Sequence, residues 1–236
     1  MRDLSNGWRS VVEFGFRLLY NEMAWSYDLV SWGVSLGEWR VWQKQSLAYL
    51  KGKRVLEIAH GPGHMLIEMH GRGFEVFGVD LSEAMGQQAR SKLSATNLKA
   101  HISLARCRIP DFPFAAEHFD SVLSQFPTNF IFDPATLANL HRLLKPGGML
   151  VILPEGHLTG SGPILRLIAW LFYITGQAAS PQPLDETIQL EFGPFIERIE
   201  AAGFETEIIT MRFKRSAATV IIGKKPVFEN GQDQAG

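Results

Sequence analysis

The sequence predicts an α/β fold, a doubly wound and mostly parallel sheet of seven strands closed by an antiparallel C-terminal hairpin. From Lys53 onward, short apolar runs alternate with amphipathic ones, the pattern of strands joined by crossover helices. The last two apolar runs, Glu205 to Arg212 and Ala217 to Gly223, have only a short basic turn at Lys214-Arg215 between them. So short a connection can join antiparallel strands only.

The elements follow in order. Arg54 to Ala59 reads as the first buried strand and His64 to His70 as the helix after it. Glu75 to Val79 is the second strand, and Ser82 N-caps a helix running towards Leu93, with Glu83 in its first turn. Lys99 to Ala105 and Asp120 to Phe126 are the third and fourth strands. Asp133 caps a helix from Pro134 to Leu144, because proline suits the first helical position, and Lys145-Pro146-Gly147-Gly148 stops it. Met149 to Pro154 is the fifth strand, and Phe195 to Ala202 a helix ended by Gly203.

This pattern divides the chain into an N-terminal helical cap over residues 1–50, a core over 51–155 and a helical insertion over 156–192. Residues 193–228 complete the core, and the polar tail 229–236 is expected to be disordered. The cap is dense in aromatic residues, among them Trp8, Phe14, Phe16, Trp25, Trp32, Trp39 and Trp42, as packed helices are.

Bulk properties narrow the function. A formal net charge of −1 marks no nucleic-acid partner. The single cysteine, Cys107, excludes an intrachain disulfide and a cysteine-based zinc cluster, and it fits a reducing cytoplasm. Asp3, Glu13 and Glu22 interrupt any apolar N-terminal run, so no cleavable signal is expected. The most apolar stretch, Pro163 to Thr175, falls short of the roughly 20 residues that span a bilayer.

The central motif is Val55-Leu56-Glu57-Ile58-Ala59-His60-Gly61-Pro62-Gly63, a strand entering a glycine turn before a helix. Glycines there let backbone approach a ligand closely. A dinucleotide fingerprint would want a third glycine where Leu66 stands, and Glu57 would repel phosphate. The motif therefore favours a ligand with a cationic end. At the end of the second strand, in Gly78-Val79-Asp80-Leu81-Ser82, Asp80 can accept hydrogen bonds from ribose hydroxyls.

Together with Pro113-Phe114, Phe119-Asp120-Ser121-Val122 and Leu143-Leu144-Lys145-Pro146-Gly147-Gly148, these motifs resemble the class I S-adenosylmethionine-dependent methyltransferases. The branch they look most similar to holds the ubiquinone/menaquinone-biosynthesis and bacterial phospholipid methyltransferases. The resemblance covers roughly residues 20 to 155 and implies a Rossmann-like fold, with S-adenosylmethionine as cofactor and S-adenosylhomocysteine as product. It places Glu57, Ala59, His60, Gly61 and Gly63 around the methionine end, Asp80 at the ribose, and Leu81 and Met85 at the adenine face. It sets Gln125 at the amino-acid moiety and, through Tyr27-Asp28, Tyr27 over the cofactor, with Trp39-Arg40 nearby. The sequence departs from the family where Ala59-His60 replaces Gly-Cys, and where Arg106-Cys107-Arg108 replaces an acidic residue facing adenine. Adenine contact then falls to backbone around Cys107, Arg108 and Ile109.

Transfer needs an aligned nucleophile and exclusion of water, and a general base only if the nucleophile arrives protonated. Glu155 and His157, read as lying just past the fifth strand, are the base candidates, with His60 as a third, and each has a structural alternative as a polar residue held by hydrogen bonds. The expected acceptor is a small, lipophilic molecule beneath a lid made by the insertion and the N-terminal helices, a lid that tightens on cofactor binding. Two alternatives stand beside this: a membrane-surface phospholipid or quinone methylase, and a binding module without catalysis. Arg166 is the only charge in the stretch from Pro163 to Ile174, which favours a pocket wall over membrane docking.

Overall fold

The computed structural model describes residues 37–159 and 184–227. Tyr27, Asp28, most of the N-terminal aromatics, the apolar stretch from Pro163 to Thr175 and the tail 229–236 lie outside those residues, and with them most of the expected lid.

Seven strands form one sheet in the order β3-β2-β1-β4-β5-β7-β6. They are β1 (Arg54–Ile58), β2 (Glu75–Val79), β3 (Ser103–Ala105), β4 (Phe119–Gln125), β5 (Leu144–Leu158), β6 (Glu205–Arg212) and β7 (Ser216–Lys224). The first five run parallel, and β7 pairs antiparallel with both β5 and β6. The α-helices among the described residues are α1 (Glu38–Ser46), α2 (His64–Gly71), α3 (Glu83–Ala95), α4 (Pro134–Leu143) and α5 (Leu184–Ala201). The doubly wound sheet with its terminal hairpin is the architecture the sequence predicts.

Strand alternation sorts the core into two layers. On one face Leu56, Ile58, Val122, Leu150, Ile152 and Ile221 pack with Leu137 and Leu140 of α4 and with Phe192 and Ile199 of α5. On the other, Val55, Leu123, Val151, Leu153 and Val220 meet Trp42 of α1 and Met65, Leu66 and Met69 of α2. Capping fixes two helix starts: the Ser82 hydroxyl accepts from the Met85 amide and the Asp133 carboxylate from the Thr136 amide.

Besides small shifts at element ends and a β5 that begins at Leu144 instead of Met149, three boundaries differ from the sequence expectation. The third strand begins only at Ser103, because the amides of His101 and Ile102 both bond back to the Leu98 carbonyl and hold a turn. The last helix is already formed at Leu184 and carries Pro194 inside it, where the sequence expectation begins only at Phe195. The third difference bears on function. β5 does not stop at Pro154 but continues to Leu158, so Glu155 and His157 are strand residues rather than loop residues. A bulge between Ile152 and Glu155 shifts the register with β7 by one residue, and the pairing then continues to Leu158.

Candidate active site

The turn from β1 into α2 is built by its backbone. Gly61 and Gly63 both adopt positive φ, 55° and 81°, where a side chain is strained. A Cβ on Gly63 would sit 2.8 Å from that of Ala89, whereas one on Gly61 would meet nothing within 4 Å. Gly63 therefore serves the packing of α2 on α3, while Gly61 leaves open space beside the turn. Ala59, where the family pattern has glycine, also has positive φ, 53°, and is held by its amide bonding to the Val79 carbonyl at 2.7 Å.

Asp80 ties this turn to the next strand. Its Oδ2 accepts from the Gly61 amide and its Oδ1 from the Ser82 amide, each at 2.8 Å. Each carboxylate oxygen keeps a second lone pair for a ligand hydroxyl. Beside it Leu81 is 60% exposed, and Arg106 pins the Leu81 carbonyl at 3.0 Å while pairing with Glu83. Met85 is buried. The segment after β3 is internally bonded: the Cys107 thiol reaches the Arg108 carbonyl, the same carbonyl accepts from the Asp111 amide, and the Ile109 carbonyl accepts from Asn139. Ile109 itself is buried.

One cleft is lined by Glu57, Ala59, His60, Pro62, His64, Met65 and Gln125 from the sheet edge and α2, and by Trp39, Arg40 and Gln43 from α1. Glu57 is 3% exposed, and its Oε2 has no hydrogen-bond partner. Burial, aided by the nearby Asp80 charge, holds its carboxyl well above the usual carboxylate range. Gln125 is buried too. Its Nε2 donates to the Gln43 carbonyl at 3.0 Å and to the Ser46 hydroxyl at 2.8 Å, while Ser46 itself donates to Gln43. A carbonyl can only accept, so this triangle fixes the amide orientation and leaves Oε1 as an unpartnered acceptor.

The His60 ring packs over Gly78, where an added Cβ would stand 2.9 Å from its Cδ2, and its Nδ1 bonds the Gly61 carbonyl at 2.8 Å. Burial pushes its pKa down, against the Asp80 charge and that hydrogen bond. Opposite, Arg40 Nη2 and Lys92 Nζ converge on His64 Nε2 at 3.1 and 2.7 Å. Both partners are donors, so His64 accepts there, and two cations meet at the N-terminus of α2.

The described part of the predicted set thus divides in space. Glu57, Ala59, His60, Gly61, Gly63, Asp80 and Gln125 gather at the carboxyl ends of β1, β2 and β4, with Leu81 next to Asp80. Glu155 and His157 stand further along β5, and Tyr27 lies outside the described residues. Sequence reading missed Gln43, Ser46, His64 and Lys92. The three-residue step from Gln43 to Ser46, on the helix that buries Trp42, was the available signal for the first two.

A family described as methyltransferase domain matches residues 55–148, from β1 into the start of β5. The chain belongs to the class I S-adenosylmethionine-dependent methyltransferase superfamily. Among the relatives of this methyltransferase-superfamily member is a demethylmenaquinone methyltransferase of Symbiobacterium thermophilum, 30% identical over 166 residues that make up 67% of this chain and 64% of the relative. A ubiquinone/menaquinone biosynthesis C-methyltransferase of Psychromonas ingrahamii is 27% identical over 169 residues, 64% of this chain and 67% of the relative. The chain thus spans about two thirds of the length of these relatives. A solved structure of a putative S-adenosyl-L-methionine-dependent methyltransferase from Methanococcus maripaludis shares the fold, with TM-score 0.63 and 17% identity over 90% of this chain and 96% of that one. Among the described residues, no helix is long and apolar enough to cross a membrane.

Proposed function

We propose that the chain transfers a methyl group from S-adenosylmethionine to a small, lipophilic acceptor. The observation that carries the cofactor half is the pair of buried, unpartnered acceptors, Glu57 Oε2 and Gln125 Oε1, lining one cleft beside the glycine turn. An ammonium group would satisfy both, and Arg40 with the donors gathered at His64 would face the carboxylate of the same amino-acid end. Asp80 would take the ribose hydroxyls and the exposed Leu81 the adenine face, with Met85 beneath in a packing role. The adenine edge would then be read by the backbone amides around Cys107 and Arg108, since the Arg108 and Ile109 carbonyls are already engaged. Bound there, the cofactor supplies an electrophilic methyl group. The protein's own part is to orient both reactants and keep water out.

The lipophilic acceptor is supported by the apolar stretch from Pro163 to Thr175 and by relatives named for quinone biosynthesis. Those names also favour a second reading, a quinone methylated at a membrane surface. Calorimetric titration with S-adenosylmethionine and S-adenosylhomocysteine tests the cofactor, and absence of binding to either would sink the proposal. Transfer of labelled methyl to demethylated quinols, with and without anionic vesicles, separates the two readings. Flotation with the vesicles would favour the surface enzyme.

A further inference from the structure

Beyond the sheet edge, β5 and β7 form a ribbon whose two sides are unlike. β5 leaves β4 at the pairing of Leu153 with Gln125, yet it stays paired with β7 from Glu155 to Leu158. One side of that ribbon is sealed by α1. A Cβ on Gly156 would fall 2.4 Å from Cε3 of Trp42, and the Trp42 indole donates to the Ser216 hydroxyl at 3.0 Å. Alternation then turns Glu155 and His157 to the opposite side, together with their partners Thr219 and Ala217. On β6, Thr210 lies across from Thr219 and Arg212 across from Ala217. The second side therefore reads Thr210, Thr219, Glu155 in one row and Arg212, Ala217, His157 in the next.

Two atoms on this side are buried without a partner, Thr219 Oγ1 and His157 Nε2. Native proteins leave few such atoms. These two belong to diagonal neighbours across one antiparallel pair, whose side chains stand about 7–8 Å apart, a separation that one bridging group can span. Ser124, on the same face of β4, has a third orphan hydroxyl, while its chain neighbour Gln125, which lines the cofactor cleft, faces the other side of the sheet. The orphan on β4 thus stands one residue from the cleft, at the carboxyl end of that strand. The surroundings on this face are apolar and aromatic, with Phe132 stacked on Phe195 at 4.2 Å and Phe192 beside them.

We propose that this side of the ribbon is the acceptor wall, and that His157 and Thr219 hold a hydroxyl group of an otherwise apolar acceptor. The proposal rests on the methyl-transfer reading and adds to it the acceptor's polar requirement and the residues that read it. A hydroxyl donates once and accepts twice, so it can donate to an imidazole nitrogen while accepting from a threonine hydroxyl. Burial lowers the His157 pKa, which keeps the ring neutral and able to accept. Thr219 is fully buried, so without a ligand its hydroxyl is a cost to the fold. Valine there should therefore stabilise the fold, and the preference between probes separates a ligand-holding hydroxyl from a merely orphaned one.

The test uses the full chain, with and without S-adenosylhomocysteine, titrated with 2-naphthol and with naphthalene and followed by fluorescence. The wild type should bind 2-naphthol about 3- to 10-fold more tightly, the range of a net neutral hydrogen bond. Thr219→Val and His157→Phe should each shrink that preference to less than about twofold. Thr219→Val should also raise Tm and leave S-adenosylhomocysteine affinity unchanged. Equal binding of the two probes by the wild type, or a full preference retained in Thr219→Val, overturns the proposal. If His157→Phe does not fold, Thr219→Val decides alone. If S-adenosylhomocysteine fails to bind, the methyl-transfer reading falls, while the unloaded titration still judges the wall.

Discussion

Replacing Glu57 with glutamine should make the ligand-free protein more stable and the cofactor site weaker. Glu57 is 3% exposed, its Oε2 has no partner, and Asp80 adds a like charge nearby. An unsatisfied buried polar group costs about 1–3 kcal/mol, and a charged one more. Glutamine keeps the shape and removes the charge, so a gain of about 1–3 kcal/mol is expected near pH 8. For a chain of this size that corresponds to a rise in Tm of roughly 2–12 °C. The pH dependence has a definite sign. Because the folded carboxyl holds its proton to higher pH than the ordinary value of 4.5, the penalty is absent below that value. It grows as pH rises and is complete above the folded value, so the advantage of Glu57→Gln should be large at pH 8 and vanish near pH 4. Binding should move the other way. Losing a charged acceptor for an ammonium costs about 1.5–3 kcal/mol, or roughly 10- to 150-fold in S-adenosylmethionine affinity. Thermal scans at both pH values, with calorimetric titration of the cofactor, measure both effects. A Tm that falls at pH 8, or an advantage greater at pH 4 than at pH 8, would refute the assignment of Glu57 as a site carboxylate held at the fold's expense.

Asp80→Ala removes the acceptor for the Gly61 and Ser82 amides, so cofactor affinity should drop about 10- to 150-fold by calorimetry, and an unchanged value would contradict the ribose role. Gly156→Ala should push Trp42 off the ribbon and destabilise the fold by about 1–3 kcal/mol, seen as a lower Tm and a shifted tryptophan emission. Asp120 accepts from the Lys53 and Arg54 amides and pairs with Lys145 at 2.6 Å. Although burial pushes its pKa up, these bonds outweigh that and depress it below the ordinary 3.8. Its stabilisation is therefore present above pH 3.8 and lost as pH falls through the folded value. Asp120→Asn should then lower Tm at pH 7, and the gap to wild type should narrow on acidification below about pH 4.

What the sequence made legible was whatever is decided within a few residues. Ser82 and Asp133 cap helices because their side chains reach an amide three positions on, and Glu57, Gly61 and Gly63 occupy one turn. What it hid depends on partners far along the chain. Met149 to Pro154 looks like a complete strand, and only the pairing of Glu155 through Leu158 with residues 216–219 shows otherwise. Phe195 to Ala202 reads as a whole helix, yet α5 is already formed at Leu184 and has Pro194 inside it. Gln43, Ser46 and Lys92 are ordinary polar helix residues until folding brings them against Gln125 and His64.

The same long-range pairing explains why the cofactor cleft was easier to foresee than the acceptor side. Glu57 and Asp80 sit at the ends of adjacent parallel strands, so one glycine turn and one crossover bring them together, and the spacing of two motifs is enough to infer it. His157 and Thr219 meet only because β7 runs antiparallel to β5 and the bulge after Ile152 shifts its register. Without that bulge, a one-residue slip would turn His157 towards Trp42 and Gly156 towards the polar rows, exchanging the two sides of the ribbon. The position of the bulge therefore decides which side chains an acceptor meets, while leaving the glycine turn and Asp80 untouched. Acceptor specificity can change by sliding or resizing one hairpin, with cofactor binding preserved.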